Sequence, residues 1–437
     1  MGAALRGSGK VAAGPPGGAP GVRSLRRPVL IGLAAFAGIT VLLSAVVALA
    51  LPHSVRRPAT PFVTGPPWLD GWFQFDAGWY HQIASSGYSY TPGRQSSVAF
   101  FPTYPMLVRA VAAIGAEAHV AGIAVTVLAG AGCVVAFTGW VWRRLPPPSA
   151  FTAVAVLLLY PYSFFLHGAM YADAVFLLTA IGAFLLLERR HYLLAGLVGA
   201  LATAGRPVGI AVTVGLLVRV LEMRAEAAAA QTPAVRVGAG DRWRSVDARP
   251  SGRRPVLAAR ALWAAVPLLR GRQLAVLVSG LGLAGWCLYL WFSFGDPLAF
   301  LAAEAAPGWD QGSGPRTWFK IAFVGQVLHG GLWLTAILAA QVLACLAAVL
   351  LLRRVLRRFG WGYLAYSVVV IAISVIGSKD FMGTGRYLLA AFPVIAAAGD
   401  LLTGNGHARW LRPTVLAVCG AGLLVGASLY GAAVEVS

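Results

Sequence analysis

Apolar runs of roughly 20 residues recur along the whole sequence, and that is the length at which a helix crosses a bilayer. The 437 residues are 58% hydrophobic and only 11% charged, whereas about a quarter of the residues in a soluble domain are charged. The expected fold class is therefore all-α, a polytopic transmembrane helix bundle of about 11 spans. The spans read are 29–51, 119–142, 149–166, 171–187, 191–204, 207–221, 273–294, 322–352, 361–377, 386–403 and 413–434. The pair 191–204 and 207–221 is short for full crossings. A hairpin of short or tilted helices with Arg206 and Pro207 at its tip is equally open.

A formal charge of +20 would suit nucleic acid if it sat on one soluble module. Instead Lys and Arg punctuate the apolar runs, as topology-setting charges do. With the N-terminus inside and the spans alternating, 26 of the 35 Lys and Arg fall on the inner side, eleven of them in 219–272. The expected organisation is then a disordered basic cytoplasmic tail at 1–28 and an N-terminal membrane module at 29–221, the latter including a long outward loop at 52–118. A cytoplasmic Arg-rich loop at 222–272 and C-terminal membrane helices at 273–437 complete it. The first span reads as a retained signal anchor, and 257–270 as an amphipathic helix lying on the inner leaflet. The Gly/Ala/Arg-rich composition points to the plasma membrane of a high-GC bacterium. Cys133, Cys287, Cys345 and Cys419 each sit inside an apolar run, so neither disulfides nor a structural metal is expected.

Acids distribute differently from bases. Asp70, Asp76, Glu117, Asp173, Asp296, Glu304, Asp310, Asp380 and Glu435, nine of the fifteen, fall outside. Ionisable groups this close to apolar spans are costly unless they line a polar cavity. The densest segment is 68–109, in which a polar core is flanked by Trp68, Trp72, Phe73, Trp79, Tyr80, Tyr88, Phe100, Phe101 and Tyr104, aromatics of the kind that suit the headgroup region. Within it a short helix starts at Asp76 and stops at Gly87. Two roles are open for Asp76, a helix cap or a functional carboxylate. His81 and His167 lack ligand spacing and read as lone interfacial histidines.

The run FDAGWYHQIASSGY followed by VAFFPTYPML resembles the first-loop signature of the PIG-V family, the second mannosyltransferase of GPI-anchor assembly, and its actinobacterial relatives. Asp76, Tyr80, Ile83, Ala84, Gly87, Tyr88, Ala99, Phe100, Phe101, Pro102 and Pro105 match, while Phe75 replaces the usual Trp. Tyr171-Ala172-Asp173-Ala174, Arg206-Pro207-Val208-Gly209, Phe294-Gly295-Asp296-Pro297-Leu298 and Arg386-Tyr387-Leu388 with Phe392-Pro393 follow in the family's order. The resemblance implies a GT-C type glycosyltransferase. It would move mannose from a polyprenyl-phosphate donor to a glycolipid or other cell-envelope acceptor on the outer face, among membrane lipids and with no cofactor or metal.

For such a reaction the acceptor hydroxyl needs a general base, and the anionic leaving phosphate needs cations. Asp76 is the candidate catalytic base. Arg206, Arg386 and, more weakly, Lys379 are candidates for the donor phosphate, because guanidinium binds phosphate bidentately. Tyr80, Asp173 and Tyr387 are candidates for substrate binding. Each has a plainer reading: Arg206 closes a hairpin, Arg386 marks a span boundary, Asp173 caps a helix, and Asp296 is a turn residue. The rival functions are a transporter or flippase of a lipid-linked substrate, and a non-catalytic partner subunit.

Overall fold

The computed structural model describes residues 24–55, 66–231, 256–311, 314–404 and 409–436, and among these all regular structure is helical. Five helices are long and apolar enough to cross a membrane: Arg26–His53, Ala118–Trp142, Gly271–Phe294, Leu332–Phe359 and Leu411–Gly431. In four of them only 17–22% of the apolar stretch is buried within the protein. Leu332, Leu350, Phe292 and Leu49 stand largely exposed. Apolar surface on that scale is stable facing lipid and unstable facing water. The chain is a membrane protein.

Five membrane-length helices stand where about 11 spans were expected. The other runs are helical, but breakers that an apolar count does not register cut them short. The run 149–166 ends as a helix at Leu159 and resumes as the 3₁₀ turn Ser163–Leu166, because Pro161 holds Tyr160 extended at ψ 135°. Gly330 and Gly331 split 322–352 into Ile321–His329 and Leu332–Phe359. Pro393 restarts 386–403 as Thr384–Leu388 and then Phe392–Leu402. The opposite deviation occurs at Ile210–Gln231, which runs ten residues past the boundary expected at 221. Alanine-rich sequence favours helix there, and Arg219 reaches both Glu222 and Glu226 along it. Residues 26–28, placed in the tail, already belong to the first helix. The rest of that tail up to residue 23, and most of the Arg-rich loop (232–255), lie outside the described residues.

Beside a smaller cluster of Val98, Phe101, Trp286, Leu290 and Phe300, helix pairing builds a large apolar core. Arg26–Ala50 packs on Leu411–Gly431, Ile210–Gln231 on Trp361–Gly377, and Pro147–Leu159 on Phe392–Leu402. Phe137, Trp140, Phe184, Tyr363 and Phe392 fill its middle. The expected 68–109 loop is a compact cap made of Pro67–Asp70, Ala77–Ser86 and Thr103–Ala112. Its aromatics do not fan into a headgroup layer. Trp72, Phe101 and Tyr104 are fully buried and Tyr80 nearly so; Trp72, Tyr80 and Tyr104 join the bundle core, Phe101 packs on Trp286 and Phe300, and Trp68 is exposed. Thr103 fastens the cap to the helix Tyr192–Thr203. Its N–H donates to Ala204 O (3.0 Å) and its hydroxyl to Leu201 O (2.8 Å), satisfying carbonyls that a helix end leaves free.

Gly385 is tightly packed. A Cβ there would collide with the Tyr162 ring. Its N–H donates to Gln341 Oε1 at 3.1 Å, and its carbonyl accepts from Tyr160 OH at 2.7 Å. Gly385→Ala is expected to lower stability by about 1–3 kcal/mol, the usual cost of overpacking. Thermal unfolding in detergent measures this, and an unchanged midpoint would contradict the close packing.

Candidate active site

The site is assembled by three breaks in helical structure. Arg206 precedes Pro207, and the restriction that proline imposes on the residue before it holds Arg206 extended at φ −160°, ψ 153°. Arg206 thus sits at the turn between Tyr192–Thr203 and Ile210–Gln231, the second of which, at 22 residues, is not the short helix expected. Asp173 is the first residue of Asp173–Glu188, where its negative charge suits the helix dipole. Arg386 lies in the short helix Thr384–Leu388.

These breaks bring four charges together. Arg206 Nη1 donates to Asp173 Oδ1 in a buried ion pair. Arg386 Nη1 lies 3.4 Å from Asp76 Oδ2, and Arg386 Nε lies 4.0 Å from Asp173 Oδ2. The Tyr387 ring packs on both guanidiniums, 4.9 Å from Arg206 Cζ and 5.1 Å from Arg386 Cζ. Arg386 also lies over the rings of Phe165 and Tyr171. Arg206 is held through Nη1 by Asp173, whereas Arg386 donates from Nη1 to Asp76 and from Nη2 to Tyr387 OH at 3.5 Å, and its buried Nε makes no hydrogen bond.

Asp76 precedes the helix Ala77–Ser86 as expected, but its side chain does not cap it. A capping residue needs extended dihedrals, and Asp76 sits at φ −60°, ψ −17°, after Phe75 in the left-handed region at φ 52°. Its backbone N–H is taken by Tyr171 OH at 3.1 Å. The carboxylate is therefore free to face the cavity. Burial pushes the Asp76 carboxyl above its ordinary pKa, with Arg386 pulling the other way. Asp173 is not the capping residue of its helix either, because Ala172 holds that position. Asp296 is the turn residue of the plainer reading, accepting from Leu298 N–H at 2.8 Å.

A cavity of about 270 Å³ opens over these charges, lined by Asp76, Tyr80, Arg206, Arg386 and Tyr387. Its roof is aromatic. Trp79, Phe100 and Trp309 pack mutually at 5.6–5.9 Å, joining the cap to the segment after Ala299–Glu304. Lys379 does not line the cavity. It braces the roof from behind, donating to Trp309 O and Asp310 Oδ2 at 3.2 Å each. Glu304, Gln311 and Glu435, for which residue types alone indicate no site role, also line the cavity. Both acids were already among the outward nine, but only the folding back of 299–311 brings Glu304 in. Burial pushes its carboxyl up to about 7, with Arg206 opposing.

The histidines lie elsewhere. His167 is not interfacial but buried, stacked on Phe36 at 4.5 Å with Nδ1 2.7 Å from Thr40 Oγ1. His81 packs edge-on to Phe73. Among the described residues no cluster of His, Cys, Asp and Glu has metal-binding geometry.

Fold and site together define a helical membrane protein with a charged cavity beneath a helical cap. No protein-family model matches the sequence, and no curated protein matches it. Solved structures of the Archaeoglobus fulgidus oligosaccharyltransferase AglB share part of its backbone path. The complex with an inhibitory peptide and a dolichol-phosphate has TM-score 0.41 and 12% identity, over 91% of this chain and 56% of that one. The apo form has TM-score 0.42 and 12% identity over the same shares. The form tethered to an acceptor peptide has TM-score 0.42 and 13% identity, over 91% and 55%. The chain spans about half the length of the structures it matches, a likeness too distant to assign function.

Asp173→Asn leaves the buried Arg206 guanidinium without its counter-charge. The expected loss of stability is about 3–5 kcal/mol, with part of it recovered in Asp173→Asn/Arg206→Met. Denaturant unfolding of both variants tests this, and a double variant no better than the single would argue against the pairing.

Proposed function

We propose that the protein is an inverting GT-C type glycosyltransferase of the membrane, taking a sugar from a polyprenyl-phosphate donor on the outer face. The observation that carries the reading is the meeting of Asp76 and Arg386 in one cavity. A carboxylate that caps nothing stands 3.4 Å from a guanidinium, and both line the cavity. General-base displacement at a phosphate-activated sugar needs that pair.

The acceptor hydroxyl gives its proton to Asp76 as its oxygen attacks the anomeric carbon from behind. The bond from that carbon to the donor phosphate breaks, and its electron pair leaves with the phosphate. The products are a glycoside of inverted configuration and a polyprenyl phosphate. Arg386 and Arg206, which both line the cavity, are the cations for the phosphate, and Asp173 holds Arg206 in place. Tyr387 fixes the spacing of the two guanidiniums, and Tyr80 forms a wall of the cavity. Mannose as the sugar and a glycolipid or other cell-envelope acceptor follow from the resemblance to the PIG-V family, whose matched residues Asp76, Tyr80, Arg206, Arg386 and Tyr387 line this cavity.

The test offers polyprenyl-phosphate-mannose and membrane lipid extract to the purified full-length protein, with mass spectrometry of the products. A mannosylated lipid is expected, and its absence across lipid extracts would sink the reading. Asp76→Asn is expected to lower kcat by roughly 10²–10⁴-fold, the usual contribution of a general base.

The pH dependence has two limbs. Asp76 works deprotonated, so turnover falls as pH drops through its raised pKa. Glu304 becomes charged above pH about 7 and then opposes an anionic donor. Donor KM is therefore expected to rise above that pH and to stay flat in Glu304→Gln. A rise of equal size in both proteins would assign that limb elsewhere.

A further inference from the structure

A second cavity, of about 700 Å³, lies far from the first, at the C-terminal end of Leu332–Phe359. Gln341, which touches the first site through Gly385, is 12 residues before Arg353, roughly 18 Å along the helix. The lining combines Leu350, Leu351, Ala347, Val256 and Leu401 with Arg353, Arg354, Arg357 and Arg358.

The four arginines divide into two pairs. Arg354 Nε and Arg358 Nε both donate to Asp400 Oδ2 at 2.7 Å, and Asp400 is buried. Arg353 and Arg357, one turn apart on the neighbouring face, are exposed, and among the described residues neither makes an ion pair. The helix C-terminus contributes about half a negative charge. With the one carboxylate of Asp400 it leaves the four guanidiniums in clear excess. The pocket selects an anion.

The same face says what carries the anion. Leu343, Leu346, Leu350, Arg353 and Arg357 follow at spacings of three and four residues, a single stripe on one helix. The three leucines are 66%, 55% and 79% exposed. From Leu343 to Arg353 the stripe rises about 15 Å, close to half of a roughly 30 Å hydrocarbon core. An apolar track of one leaflet's depth ending in paired guanidiniums matches an amphiphile, not a free ion. We propose that this pocket binds an anionic glycerophospholipid, with its phosphate between Arg353 and Arg357 and its acyl chains along Leu343, Leu346 and Leu350. Basic pockets between membrane helices recognise such headgroups by the same physics. Asp400 fixes the inner pair so that the outer pair is presented as a fork.

The test uses the full-length protein in nanodiscs of equimolar phosphatidylglycerol and phosphatidylcholine, with native mass spectrometry of retained lipid. Preferential retention of phosphatidylglycerol is expected, weakened roughly thirtyfold in Arg353→Gln/Arg357→Gln from two lost surface charges and restored in Arg353→Lys/Arg357→Lys. Because both side chains are exposed, thermal unfolding of the Gln variant should match that of the unsubstituted protein. Equal retention of the two lipids, or retention unaffected by the Gln substitutions, overturns the proposal. Displacement of phosphatidylglycerol by an equal concentration of inorganic phosphate overturns the lipid assignment as well.

Discussion

Two carboxylates and two guanidiniums sit where an apolar bundle meets its cap, and each depends on the others for its charge. Removing an ion from water costs several kcal/mol even after relaxation. Arg206 is tolerable because Asp173 neutralises it, and Asp173 because Arg206 and Arg386 surround it. The helix breaks at Pro207 and Gly383 and the start of Asp173–Glu188 make sense as devices that deliver these side chains to one point. A straight bundle would hold them apart. The cap closes over the cluster and is fastened by Thr103 and by the buried aromatics, so the apolar core and the polar site form one packing problem.

Much of this was legible from residue types. The apolar runs gave the helical class, and their flanking acids gave a polar centre outside the spans. Arg206 before proline gave an extended tip, and Asp76 gave the start of a helix. The span count was not legible, because hydropathy averages over Pro161, Gly330, Gly331 and Pro393, each of which ends or restarts a helix. The aromatics of 68–109 were misread for a related reason. Composition says that an aromatic is amphipathic, not whether another ring already covers it. Glu304 needed a chain reversal that no local pattern encodes.

The same limit applies to the rank of the cations. By sequence, Arg206 and Arg386 looked alike and Lys379 slightly weaker. In space Lys379 differs in kind from both. Arg206 and Arg386 face one cavity, paired with Asp173 and Asp76, whereas Lys379 is committed to the Trp309 backbone and Asp310 outside it. Availability is a property of neighbours, and those neighbours come from 33 to 310 residues away in the chain.

The aromatic-roofed cavity has a further consequence in its charge balance. Although the chain carries +20 overall, Asp76 and Asp173 cancel Arg206 and Arg386, and Glu304 and Glu435 add only negative charge. Such a cavity sends out little attractive field beyond a Debye length of about 8–10 Å. An anion would not be steered to it through bulk water. The polyprenyl-phosphate donor proposed above would arrive instead by lateral diffusion in the plane of the bilayer, and only at contact would Arg206 and Arg386 distinguish it. Capture of that kind is set by membrane concentration and is nearly indifferent to the salt of the surrounding medium.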